Sequence, residues 1–311
     1  MPQRCGLSGL YILIGLVGLF FGGEALVRGS VNIARRMAIS PLVIGLTVVG
    51  FGTSTPELLV SVQAALRGAP DIAIGNIIGS NIANILLIVG LTALVWPIHV
   101  AGCSMRRDTA FMIAAGLFLV PLFALGEIGR LAGTALLAGL GFYLLWTFLK
   151  PEQDSANGES EAAPISVVIS LLWVASGLAA LLFGAKFLLE GAVSIARDFG
   201  VSEAFIGLTI VAVGTSLPEL ATSLIAAFRR QSEIAIGNIV GSNIFNVFGI
   251  LGLTAVISPI AVAPRFLTFD LPVMIAVSLV LTGLLLALRQ ISRGMGALML
   301  LGYAGYVFTA Q

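Results

Sequence analysis

The chain has 311 residues, 58% of them hydrophobic and only 10% charged, with a formal net charge of +1. A soluble domain carries about 25% charged residues, so a mean hydropathy of +1.08 indicates a chain solvated mainly by lipid. Near-neutral charge excludes the basic stripe of a nucleic-acid binder, the two cysteines Cys5 and Cys103 are too few for a disulfide framework, and a lone His99 excludes zinc motifs built on paired histidines.

A membrane span needs about 20 predominantly apolar residues. In chain order the pattern predicts ten: 8–28, 41–66, 71–97, 106–125, 128–149, 165–188, 203–228, 233–259, 267–288 and 294–310. Residues 1–25 have the outline of a signal peptide, with Arg4 before an apolar run. Residues 15–35 have a counterpart deep inside the chain, however, which assigns the first span to the fold. The stretch "KPEQDSANGESEAAP" reads as a flexible polar linker. The expected organisation is a first five-helix repeat over 1–149, a cytoplasmic linker over 150–164 and a second five-helix repeat over 165–311. Lys and Arg fall ten on the linker's side of the membrane and six on the other, which puts the linker inside and both termini outside. Cys5 and Cys103 then face opposite sides and cannot pair.

Residues 45–98 align with 207–260 without a gap, at a constant offset of 162, and 32 of the 54 positions are identical. The shared positions include Gly, Pro, Asn, Ser and Glu in one register, which shared apolar composition alone does not produce. Each half has an odd number of spans, so the second enters the membrane in the opposite direction. Inverted repeats are a transporter architecture, with the substrate held near the midplane between them. The fold class expected is all-α integral membrane, ten transmembrane helices in two inverted repeats.

Polar groups collect in these repeats where they are most expensive. Glu57 and Glu219 lie close to the centres of spans 2 and 7, where a charge costs at least about 2.5–3.5 kcal/mol, and no basic residue lies near a span centre. Two such carboxylates require compensation by protons or by a bound cation. Pro56 and Pro218 interrupt the same helices, each removing a backbone hydrogen bond. The carbonyls so freed, with the hydroxyls of Thr53, Ser54, Thr215 and Ser216, form a cluster of hard oxygen ligands. On spans 3 and 8, Asn76, Ser80 and Asn84, and their counterparts Asn238, Ser242 and Asn246, share one helical face at i, i+4, i+8. The alternative role for Asn76, Asn81, Asn238 and Asn243, and also for Asn84 and Asn246, is to tie helices together. Hard cations such as Ca²⁺ take oxygen ligands, whereas soft metals take Cys, Met or His. Two glutamates balance one divalent ion or several monovalent ones, and competition for the same ligands enforces exchange.

The motifs "GTSTPELLVS…GNIIGSNIANIL" and "GTSLPELATS…GNIVGSNIFNVF" resemble the two alpha-repeats of the sodium/calcium exchanger family, in the calcium/cation antiporter superfamily. The resemblance extends over essentially the whole chain. It implies a multi-pass protein of the cell membrane that exchanges Na⁺ for Ca²⁺ without a cofactor, the first helices of the two halves sliding across a stationary core. Its partners would be the two ions and the bilayer, with no nucleic acid and no obligate protein. Glu57 and Glu219 would be the central ligands. Thr53, Ser54, Ser80, Thr215, Ser216 and Ser242, with the carbonyls of Gly50 and Ala212, would complete the sites. Where some members carry a third carboxylate this chain has Asn246, matched by Asn84 in the other half. Other readings of the same residues are a H⁺/Ca²⁺ or other cation exchanger of the same fold, and a Ca²⁺-permeable channel. An intramembrane enzyme would need a His or Lys near a span centre, and there is none.

Overall fold

The computed structural model describes residues 2–37, 39–99, 105–149, 166–199 and 212–310. The expected linker 150–164, residues 203–211 of the expected seventh span and Cys103 lie outside the described residues. The protein is an all-α membrane protein. Its helices are α1 (Pro2–Met37), α2 (Pro41–Thr53), α3 (Thr55–Leu66), α4 (Pro70–Val95), α5 (Met105–Ala124), α6 (Arg130–Leu149), α7 (Val167–Asp198), α8 (Ala212–Thr215), α9 (Leu217–Phe228), α10 (Ser232–Ile257), α11 (Phe266–Leu288) and α12 (Arg293–Ala310). Among the described residues seven are long and apolar enough to cross a membrane, or eight if the bent pair α2–α3 is one span. Helices prevail because hydrocarbon offers the backbone no partners, so each segment must satisfy its own N–H and C=O groups.

Helix starts follow the local chemistry. Ser40 accepts from the Leu42 amide at 3.2 Å and Pro41 opens α2, where a missing N–H costs nothing. Pro70 opens α4 in the same way. Two helices exceed expectation: α1 runs to Met37 and α7 to Asp198, beyond the ends 28 and 188 read from hydropathy. The apolar count measures only the hydrocarbon-crossing part; polar ends such as Arg35 and Arg36 continue the helix past it.

α4 and α10 form the interior, with 78% and 83% of their apolar windows buried inside the protein, against 22% for α6 and 28% for α7. Leu13, Phe21, Leu145, Leu172, Phe183 and Leu301 turn outward, as lipid-facing side chains do. Two close approaches set the helix packing. A Cβ on Gly241 of α10 would stand 2.1 Å from the Leu46 carbonyl of α2. Along the α1–α7 seam, Gly15 meets the Leu188 amide and Gly22 the Leu181 amide; one number rises as the other falls, so these helices run antiparallel.

Short antiparallel ribbons close the ends: β1 (Ile98–His99) pairs with β4 (Gln290–Ile291), and β2 (Glu127–Ile128) with β3 (Ile260–Ala261). Ile98 and Ile260 are offset mates, so the two ribbons repeat one pattern. Each joins a segment before residue 150 to one after 165.

Candidate functional site

The proline signal has its physical effect in the backbone. The helix stops at Thr53 and restarts at Thr55 with a bend of 45°. Between them Ser54 has φ −79° and ψ 10°. Ser216 repeats this break between α8 and α9, at φ −89° and ψ 11°. Pro56 and Pro218 thereby fall in the first turn of a new helix, where they lose no hydrogen bond. Glu57 and Glu219 fall in that same turn. Unpaired amides and the positive end of the helix dipole favour a carboxylate there.

Both glutamates are 1% exposed, and their contacts cross between the sequence halves. Ser54 Oγ donates to Glu219 Oε1 at 2.9 Å, and Ser216 Oγ donates to Glu57 Oε1 at 3.1 Å. Thr215 and Thr53 stand beside Glu57 and Glu219 as second hydroxyls. Among the described residues, no Lys, Arg or His forms a salt bridge to either carboxylate.

α4 and α10 supply the facing wall. Asn76 Nδ2 donates to the Glu57 carbonyl (3.0 Å) and to Ser61 Oγ (2.9 Å). Asn238 Nδ2 does the same for the Glu219 carbonyl (3.2 Å) and Ser223 Oγ (2.9 Å). These two amides are ties that fix the glutamate-bearing turns. Asn84 and Asn246 behave differently. Their Nδ2 groups donate to Asn243 Oδ1 (3.0 Å) and Asn81 Oδ1 (3.2 Å), leaving each Oδ1 outside any hydrogen bond. Asn81 and Asn243 are in turn held by the sulfurs of Met274 (3.4 Å) and Met112 (3.7 Å). The backbone around Asn84 and Asn246 is π-helical, over Asn84–Ile88 and Phe245–Leu251, a local widening frequent at functional sites.

Buried acceptors without a donor are rare in folded proteins. Among the described residues nine buried side-chain atoms lack a partner; five are hydroxyls and four are acceptor-only oxygens. Those four are Glu57 Oε2, Glu219 Oε2, Asn84 Oδ1 and Asn246 Oδ1, all from residues named by the sequence. The nearby hydroxyls spend their protons on protein acceptors. Thr53 donates to Asn238 Oδ1 (3.1 Å) and Ser242 to the Gly50 carbonyl (3.0 Å). A hydroxyl that donates its proton keeps lone pairs available for a cation.

Ser80 and Thr215 are buried, at 5% and 8% exposed. The Gly50 carbonyl, expected as a ligand, accepts from the Ser54 amide (3.2 Å) and Ser242 Oγ (3.0 Å), with Thr53 Oγ1 3.3 Å away. Ala212 is the first described residue of α8, and residues 207–211 before it lie outside the described residues. Among the described residues, no three His, Cys, Asp or Glu side chains group as a metal site.

Sequence reasoning missed Ser61 and Ser223, Met112 and Met274, and two further buried carboxylates. Tyr143 donates to Asp108 Oδ1 (3.2 Å) beside Arg107, and Tyr306 donates to Asp270 Oδ1 (3.0 Å) beside Arg265. The serines, methionines and aspartates are each related by the offset of 162 and the tyrosines by 163, and that offset was the signal that could have found them; Arg107 and Arg265, 158 apart, do not follow it.

The family model described as sodium/calcium exchanger protein matches residues 7–149 and 169–310. The chain is 40% identical over 309 residues to the putative antiporter CaxA of Alkalimonas amylolytica, covering 96% of this chain and 97% of that protein. It is 35% identical over 338 residues to the sodium/calcium exchanger MaX1 of Methanosarcina acetivorans, covering 96% and 97%. Among solved structures, the sodium-calcium exchanger NCX_Mj soaked with 10 mM Na⁺ and zero Ca²⁺ superposes with a TM-score of 0.86. That match has 35% identity and covers 99% of this chain and 100% of that one.

Proposed function

The chain belongs to the sodium/calcium exchanger family of antiporters, and on that premise we propose that it exchanges Na⁺ for Ca²⁺ by alternating access at the site around Glu57 and Glu219. The observation that carries this reading is the set of four buried, donor-less acceptor oxygens, two carboxylate and two amide, with no salt bridge to either glutamate among the described residues. In an apolar interior such a set is costly when uncompensated. One Ca²⁺, which takes six to eight oxygens, or several Na⁺, would compensate it. The ligands are Glu57, Glu219, Asn84 and Asn246, with the hydroxyls of Thr53, Ser54, Ser80, Thr215, Ser216 and Ser242 and the carbonyls of Gly50 and Ala212. Either load neutralises the two glutamates, so a loaded site can pass from one face to the other while an empty dianionic site is held back. Obligatory exchange follows from that difference.

The scaffold of this proposal is ten spans in two inverted halves, 1–149 and 165–311, joined by a cytoplasmic linker over 150–164, with both termini outside. Three observations support the inversion: the antiparallel run of α1 and α7, the paired ribbons, and hydrogen bonds that recur at the 162 offset. The glycine-lined α1–α7 pair is the moving body. Its glycines lie in the seam between the two helices and pack them as one body, whereas α4 and α10 are locked by buried amide networks.

The test is ⁴⁵Ca²⁺ uptake into proteoliposomes of the purified protein loaded with Na⁺. Uptake should require the outward Na⁺ gradient and vanish when choline replaces Na⁺. Uptake indifferent to Na⁺ at fixed pH but driven by a proton gradient would assign the coupling ion to H⁺ instead. Ca²⁺ current without any counter-ion would make the protein a channel.

A further inference from the structure

A cavity of about 250 Å³ lies at the corner between α1, α7 and the α9–α10 turn, away from the glutamates. Its polar lining is Arg28, Asn32 and Arg35 of α1, with Arg229 and Gln231 of the turn, and Trp173 of α7 forms one wall. Glu24 lies beneath. It accepts from the Arg28 and Arg229 side chains, including Arg229 Nε to Oε2 at 2.9 Å. The Glu24 side chain is 13% exposed, whereas those of Arg28 and Arg229 are 53% and 50% exposed. One carboxylate thus fixes two guanidiniums from below while leaving much of each open above. With Arg35 the corner holds three positive charges against one negative. Arg35, Asn32 and Gln231 have no side-chain hydrogen bond among the described residues, so donors remain for a ligand.

These features define an anion site with fixed geometry. Arginine binds phosphate through two parallel hydrogen bonds, and here three arginines from two helical segments converge. The surroundings identify the kind of phosphate. Phe21 on α1, Ile169 and Leu172 on α7 and Phe228 at the end of α9 are exposed apolar side chains on the same elements. Trp173 marks the level at which aromatic rings sit between headgroups and hydrocarbon. A free phosphate would use the arginines and ignore the apolar flank; a phospholipid uses both. We propose that this corner binds the phosphate of an anionic phospholipid, with its acyl chains laid along α1 and α7.

The alternative to a built site is diffuse attraction, because any Lys or Arg near a headgroup layer draws anionic lipid. Arg36 separates the two. It is exposed and adjacent to Arg35 but does not line the cavity. Native mass spectrometry of the detergent-solubilised protein, titrated with phosphatidylglycerol and with phosphatidylcholine, reads bound lipid directly. The expected result is one phosphatidylglycerol retained at a concentration about tenfold below that for phosphatidylcholine. Arg35→Gln should weaken that retention about fivefold, and Arg36→Gln should change it less than about twofold. An unchanged elution profile on size exclusion checks that each variant is folded. Equal retention of the two lipids, or equal effects of the two substitutions, would reduce the corner to ordinary surface charge and overturn the proposal. Displacement of the lipid by millimolar inorganic phosphate would also overturn it, by making free phosphate the ligand.

Discussion

Glu219→Gln separates cation binding from folding. Glutamine keeps the shape of the side chain, and its amide oxygen can still accept from Ser54 Oγ, which donates to Glu219 Oε1 at 2.9 Å. The turn is held independently by Asn238, which bonds the residue 219 carbonyl at 3.2 Å. The fold should therefore persist. The variant loses one of two buried charges, each 1% exposed and without a basic partner among the described residues. Such a charge costs about 2.5–3.5 kcal/mol in a bilayer when uncompensated, so in EGTA the variant should be no less stable than the parent. With Ca²⁺ the order reverses. A ligand at a hundred times its Kd stabilises a folded protein by about 2.7 kcal/mol, and that gain should fall close to zero once one carboxylate is gone. The assay is thermal unfolding of purified protein in detergent, with EGTA or with Ca²⁺, for the parent, Glu57→Gln and Glu219→Gln. A Ca²⁺-dependent shift as large as the parent's in either variant would place the ion elsewhere and refute the reasoning.

Ser54→Ala and Ser216→Ala each remove a hydrogen bond to a glutamate and a hydroxyl proposed as a ligand. Hydrogen bonds to charged groups contribute about 1.5–3 kcal/mol, so each should raise the KM for Ca²⁺ in exchange assays at least about tenfold. The two should act alike, given their similar lengths of 2.9 and 3.1 Å. Asn238→Ala deletes three buried hydrogen bonds, to the Glu219 carbonyl, Ser223 Oγ and Thr53 Oγ1. At about 1 kcal/mol each the loss is about 2–3 kcal/mol, read as a lower unfolding midpoint even in EGTA. Arg289→Gly should stabilise: the residue is exposed and sits at φ 53°, a conformation costing about 1 kcal/mol for any residue with a Cβ. A rise in the unfolding midpoint checks it.

What the sequence displays well is what membranes make expensive. A glutamate, a proline and a run of amides stand out against apolar helices, so Glu57, Glu219, an interruption near each proline, and the oxygen-rich wall could be read without coordinates. The break itself, however, falls at Ser54 and Ser216 and leaves each proline in a first turn that loses no hydrogen bond. Pairings decided by tertiary geometry could not be read. Nothing local says that Ser54 serves Glu219 rather than Glu57, or that Asn81 holds the amide of Asn246 while resting on Met274. The π-helical stretches at Asn84 and Phe245 also left no mark, since they arise where packing wedges an extra residue into a turn. The ends of α1 and α7 were missed because hydropathy stops at the hydrocarbon boundary whereas backbone hydrogen bonding does not.

The offset of 162 is most instructive where it fails. Around the glutamates both halves carry the same chemistry, and the hydrogen bonds repeat with it. At the ends they diverge. Gly68 and Gly126 take φ of 71° and 78°, while their counterparts Arg230 and Arg289 hold the same left-handed turns at 57° and 53°. Arg230 is steadied by Trp96, 5.2 Å from its ring. Charge diverges too. Glu24 and Arg28 of α1 become Lys186 and Glu190 of α7, whereas Arg229 keeps an arginine, Arg67, at its matching position. Glu24 can therefore bind Arg229, but Lys186 opposite Arg67 would set two like charges together. In the proposed inverted arrangement these pairs lie on opposite faces of the membrane. A perfectly repeated chain would make its two open states mirror each other in energy. Under the proposed mechanism the glutamate centre keeps the symmetry, so both states would bind the same ions, and the charged ends break it, so the two states would differ in stability.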